Sequence, residues 1–252
     1  MKERTTRSFQ ALIMAGLGAF LLFQVVNGGI TFYIHQRFVW LVVVGAILLL
    51  VIAQTLFQSR SQINEDDPHE HSDGEDDDHH HVLTPGWVLW LMILPVMMGV
   101  LLPQRALSAS VIQNRGIQTG GTLSSNTQVI QVQDIPPEQR TVLDWVRLFS
   151  QSDTRAQIKG QPVDVIGFVY RDPRLPAGQF MVARFTLTCC VADASALALI
   201  VSWEDADSLV ENRWVRVRGV LDETLLDGHP APLVLAKQVE EVPEPSQPYL
   251  YP

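Results

Sequence analysis

The chain has 252 residues, 47% of them hydrophobic, and a formal net charge of −9. That length allows one soluble domain of ordinary size beside a membrane anchor. The charge divides into +3 before residue 58, −8 over 58–84 and −4 beyond; the C-terminal part is mildly acidic without a basic patch, which argues against nucleic acid as a partner.

Three apolar runs come first. Residues 9–26 are broken only by Gln10 and Gln24, residues 38–57 are polar only at Gln54 and Thr55, and residues 86–102 carry no charge, with Pro95 mid-run. A bilayer core takes about 20 apolar residues per helix and at least about 17, so three transmembrane helices are expected, the third over 85–103. The basic start "MKERTTR" suits a signal peptide, but the apolar run behind it is long and no A-x-A site follows, so a retained span is expected. Lys2, Arg4 and Arg7 set the N-terminus on the cytoplasmic side, because the first helix usually dominates orientation. Segment 58–84 then also faces the cytoplasm, and the C-terminal domain lies outside the plasma membrane.

Segment 58–84 holds nine Asp and Glu, one Arg and five of the seven histidines: His69, His71, His79, His80 and His81. With no apolar periodicity, it reads as a disordered tether. Imidazole ligates Zn, Ni and Cu, and carboxylates add oxygen donors. The spacing fits no tetrahedral site, so a weak collector of metal is expected rather than a structural centre; the alternative is a solvated spacer.

Residues 104–137, Gly-, Ser-, Thr- and Gln-rich, read as an extended linker. Val142, Trp145, Val146 and Phe149 then recur at helical spacing, which predicts an amphipathic helix after Pro136 and Pro137. Beyond it the period becomes two. Val163, Val165, Gly167 and Val169 alternate; "GQFMVARFTLTCCVAD" forms a long second strand; "ALALIVSW" is a third; Val215, Val217 and Gly219 alternate in a fourth; and an Asp227-Gly228 turn leads to a fifth at 233–239. Five strands with glycines inside the first and fourth predict a small all-β barrel of the OB type, placed with the amphipathic helix in 138–252.

The two cysteines of the chain are adjacent, Cys189 and Cys190. In a strand they would point to opposite faces as small hydrophobes. The chemical alternatives are a metal site, a vicinal disulfide and a redox thiol. A shared ion would require a bulge; Asp193 would then supply an oxygen ligand and His229 a further one. No nucleophile–base pair, phosphate loop or catalytic-metal motif is present in the sequence, and an enzyme is not expected.

The stretches "YIHQRF", "MILPVMMGV", "VDVIGFVY", "ARFTLTCCVADAS" and "WVRVRGVL" are similar to the YcgQ-like family of bacterial permease subunits, and the likeness covers nearly the whole chain. It implies an accessory role beside a separate multi-span permease in the bacterial plasma membrane. It also implies that the position of Cys189 accepts histidine, as a metal ligand would. Three spans without a charged residue cannot form an ion path alone. Two functions are therefore expected: a permease accessory subunit whose tether and Cys189, Cys190 and Asp193 handle a divalent metal such as Zn2+, or a membrane-anchored sensor whose barrel binds a protein or envelope ligand.

Overall fold

The computed structural model describes residues 2–62, 94, 97–99, 101, 105–119, 132 and 134–252. The chain forms two compact units, residues 1–104 and 105–252.

In the first unit, α1 (Lys2–Val26) and α2 (Val39–Gln62) form a hairpin. Their segments Ser8–Val26 and Gln36–Gln58 are long and apolar enough to cross a membrane. Little of either is buried in protein; Trp40, Leu41, Val44, Ile47 and Leu48 are all exposed, so the pair needs an apolar surrounding. The two helices meet through small residues. Ala11, Ala46 and Ala53 are buried, and a Cβ on Gly18 would meet the Ala46 carbonyl at 3.0 Å. The expected third span lies largely outside the described residues; Leu94, residues 97–99 and Leu101 are helical. The tether histidines His69, His71, His79, His80 and His81 also lie outside them.

The second unit is built on β2 (Pro162–Tyr170), β3 (Gln179–Thr186), β4 (Ser195–Ser202), β5 (Trp214–Leu226) and β6 (His229–Glu241). Antiparallel ladders join β2 to β3, β3 to β4, β2 to β5 and β5 to β6, and a short parallel ladder between β4 and β6 completes the circuit. This is the five-stranded Greek-key barrel that the strand pattern predicts. Val163, Val165 and Val169 of β2 and Val215 and Val217 of β5 point into one core with Phe180, Leu197, Leu199 and Val234. Helix α4 (Val142–Ser150) closes one end of it with Trp145, Val146, Leu148 and Phe149; a second short helix, α5 (Ser152–Ile158), follows. Thr141 and Asp144 form a capping box that fixes where α4 begins.

The strand glycines mark close approaches of backbone. A Cβ on Gly167 would lie 2.6 Å from the Ala183 carbonyl oxygen, and one on Gly219 would overlap the Leu235 carbonyl where the β5–β6 register shifts. Asp227 and Gly228 take φ of 52° and 79°, the backbone of a tight hairpin turn.

Two expectations are corrected here. The stretch 104–137 is not all linker. Within it, α3 (Ala109–Arg115) buries Ala109 and Ile112 against the outside of the barrel, and β1 (Ile117–Gln118) pairs with the start of β4. The second strand also ends earlier than expected, at Thr186, so neither cysteine belongs to it. The second error follows from burial. Strands β3 and β4 are buried on both faces: Phe180 and Val182 face the inner core, whereas Met181, Ala183 and Phe185 face an outer cluster covered by α3 and β7 (Tyr249–Leu250). A strand buried on both sides reads as a continuous apolar run with no marked end.

Asp172, buried just after β2, accepts hydrogen bonds from Arg174 Nε at 2.8 Å, Nη2 at 2.6 Å and the Arg174 amide at 3.0 Å. Those bonds outweigh burial and hold its carboxyl below the usual carboxylate range. A native value below the unfolded one, about 3.9, stabilises the fold above about pH 4, and the contribution fades as pH falls through the native value. Replacing Asp172 by Asn is expected to lower stability at pH 7 by about 1–3 kcal/mol. In denaturant titrations the gap to the parent chain should shrink below pH 4; a gap independent of pH would show that the charge is not what stabilises.

Candidate functional site: a thiol–carboxylate loop

The loop from β3 to β4 is pinned at both ends and exposed in the middle. Leu187 and Ala194 are buried in the outer cluster, and the Leu187 amide donates to the Leu250 carbonyl at 3.0 Å. Between them, Thr188, Cys189, Ala192 and Asp193 are exposed, and Cys190 and Val191 are partly so.

Cys190 forms a single bridge, and Asp193 gathers the amides of the loop. Oδ1 accepts from Thr188 N at 3.1 Å, and Oδ2 accepts from Cys189 N at 2.7 Å and Cys190 N at 3.4 Å. Residues Val191–Asp193 make one 3-10 turn, with Cys190 as its extended N-cap, and the Cys190 carbonyl accepts from the Asp193 amide at 3.0 Å. On the other side Arg115, the last residue of α3, directs Nη1 at the carbonyls of Val191 (3.0 Å), Ala192 (3.4 Å) and Ala194 (3.4 Å).

The outcome is a cluster of donors. The sulfurs of Cys189 and Cys190 and a carboxylate oxygen of Asp193 all lie within 4.8 Å of one another. Adjacent residues in a strand could not do this; leaving the strand removes the alternation of faces. Among the described residues both thiols are free of disulfide. His229, at the start of β6, is not in the cluster. Sequence reasoning found all three donors but not Arg115, which lies in a stretch that reads as linker and acts across 76 residues.

The electrostatics follow from crowding. The Cys190 side chain, with lesser effects of burial and of the Asp193 charge, pushes the Cys189 thiol up to about 11. Burial raises the Asp193 carboxyl, but the amides of Cys189, Thr188 and Cys190 prevail and hold it below its ordinary value. At neutral pH the loop therefore offers a protonated thiol beside a carboxylate. A carboxylate has about four lone-pair positions; three amides use three, which leaves one. In a tetrahedral zinc site, bond lengths of about 2.3 Å to sulfur and about 2.1 Å to oxygen put ligand atoms roughly 3.5–3.8 Å apart. Small side-chain rotations would bring these donors to that spacing, with a fourth position open.

Comparison with known proteins places the chain. Residues 9–118 match the DUF1980 N-terminal domain and residues 121–252 the DUF1980 C-terminal domain. The chain belongs to this YcgQ-like family, as its motifs suggest. It is 22% identical over 289 residues to a Streptococcus mutans protein named "Putative two-component membrane permease complex subunit", covering 95% of this chain and 97% of that one. It is 19% identical over 284 residues to "UPF0703 protein YcgQ" of Bacillus subtilis, covering 96% and 99%. Among solved structures, a small single-stranded DNA-binding protein from Streptomyces coelicolor aligns with 33% of this chain and 94% of its own, at 13% identity and a TM-score of 0.22.

Replacing Cys190 by Ala removes the largest influence raising the Cys189 thiol. Alkylation of Cys189 at pH 8 should then accelerate roughly tenfold, the larger thiolate fraction being partly offset by lower intrinsic nucleophilicity. In the parent chain the rate should still be climbing at pH 10. A parent rate that levels off near pH 8.5 would contradict the crowded-thiol geometry.

Proposed function

We propose that the chain is the accessory subunit of a two-component membrane permease complex, and that Cys189, Cys190 and Asp193 handle a thiophilic divalent metal, zinc first. The single observation that carries the metal reading is the convergence of two thiols and a carboxylate within 4.8 Å on an exposed loop. The permease reading rests on the name of the Streptococcus mutans relative, aligned over 95% of this chain, and on the apolar stretches 9–26 and 38–57, which carry no charge and cannot form an ion path alone. A multi-span permease is the partner.

Two thiolates and a carboxylate suit zinc, and an open position marks an exchange site rather than a structural one. With three spans and a cytoplasmic N-terminus, the tether histidines His69, His71, His79, His80 and His81 lie on the inner side and the thiol loop on the outer. The same ion would meet imidazole and carboxylate on one side and thiolate on the other. Protease added to spheroplasts should cut the barrel domain and spare the tether; cleavage of the tether alone reverses this orientation.

The direct test is purification of the full chain from its own membranes in mild detergent, with thiols reduced, followed by metal analysis. A co-purifying multi-span protein and near-stoichiometric zinc are expected. Changing Cys189 to His should retain most of that zinc and Cys189 to Ala should lose it, since imidazole ligates zinc and a methyl group does not. Loss of both partner and metal in the parent chain would overturn the reading in favour of a binding or sensor module.

A further inference from the structure

We infer that Arg115 is a positioning residue for the thiol–carboxylate site: it sets the loop geometry that brings the three donors together, and through it metal occupancy and the placement of α3 depend on each other. The inference rests on the metal reading above and extends it to a residue that touches none of the donors.

The Val191 carbonyl closes the turn by accepting the Ala194 amide at 3.4 Å, and carbonyls at the end of so short a turn need further partners. Here the Val191, Ala192 and Ala194 carbonyls all face one guanidinium nitrogen. Asp193 pulls amides inward from one side of the loop while Arg115 gathers carbonyls on the other, so the backbone of the donor residues is held from both sides by charged groups. Loss of the carboxylate removes a donor outright. Loss of the guanidinium leaves every donor in the chain but frees the turn that aligns them. Restraint supplied from beyond the ligands typically changes metal affinity about 10–100-fold.

Arg115 is itself well placed to act. Ala109 and Ile112 anchor α3 in the outer cluster. The Ala109 amide donates to Asn212 Oδ1 at 2.7 Å, and the Leu107 amide to the Tyr249 hydroxyl at 3.1 Å. Gly116, at φ 81°, ends the helix, and β1 then runs beside β4 at Ala196, two residues beyond the end of the loop. Coupling is reciprocal by thermodynamic necessity: if α3 favours the metal-binding loop, metal favours the docked α3.

Cd2+ added to the full chain in detergent is a suitable probe, because its thiolate charge-transfer absorption reports sulfur ligation and ignores tether histidines. Three chains are compared: the parent, Arg115→Ala and Arg115→Lys. Arg115→Ala should weaken Cd2+ binding by about tenfold or more while the melting temperature of the barrel stays near that of the parent. Arg115→Lys, which keeps the charge and can still reach a carbonyl, should recover part of the loss. Hydrogen exchange of the α3 amides should slow on adding Cd2+ to the parent and not in Arg115→Ala. Equal affinity in the parent and Arg115→Ala, or α3 exchange unmoved by Cd2+ in the parent, overturns the inference and leaves the metal site standing. A parent chain without the thiolate band removes the metal reading, and the inference with it.

Discussion

Peptide groups that leave a sheet still need partners, and in this protein two opposite charges supply them at the β3–β4 loop. The Asp193 carboxylate takes up three amides and the Arg115 guanidinium three carbonyls. Without that pair a loop carrying two adjacent cysteines would have many conformations of similar energy, and its sulfurs no fixed relation. With it, two thiols that a strand would send to opposite faces sit beside one carboxylate. The proposed chemistry depends on this constraint before it depends on any property of the cysteines themselves.

The barrel makes the constraint effective by holding the loop ends rigid. β3 and β4 are packed on both faces, inside against α4 and outside against α3 and the C-terminal strand β7. Leu187 and Ala194 extend the outer packing to the first and last residues of the loop. The same cover takes up the outer surface of these two strands, so the exposed chemistry of the region is concentrated in the loop. The bidentate pair of Arg216 with Asp164, both contacts at 2.7 Å, and the approach of Arg218 to the same carboxylate tie β5 to β2 on another part of the barrel. The sheet therefore behaves as a scaffold that holds the ends of the loop.

How much of this the sequence discloses depends on which contacts are local. Alternation in the first half of β2 and around Arg216 in β5 is legible because Val163, Val165, Val215 and Val217 are buried on one side and Asp164 or Arg216 lies on the other. The Asp227-Gly228 turn is legible because its positive φ values restrict the residue types. The capping box at Thr141 and Asp144 spans three residues. The end of β3 is not legible: "TLTCCVA" continues its apolar character past Thr186, and the carboxylate that turns the chain comes only afterwards. Helix α3 is hidden for another reason. It has seven residues, and the burial of Ala109 and Ile112 has meaning only once strands far along the chain have formed the surface they cover. Arg115 inherits that obscurity. The donors of the site are thus visible as residue types, whereas the groups that bring them together are visible only in the fold.

The atoms that surround a bound ion distinguish the thiol loop from the histidines of the tether. X-ray absorption at the zinc edge of the full chain, purified with thiols reduced and loaded with one equivalent of zinc, reads this without reference to activity or partner. The account predicts a first shell of two sulfurs at about 2.3 Å with oxygen or nitrogen at about 2.0–2.2 Å. A shell of nitrogen and oxygen alone, with both cysteines reduced and the barrel folded, would contradict it and confine metal binding to the histidines of the tether.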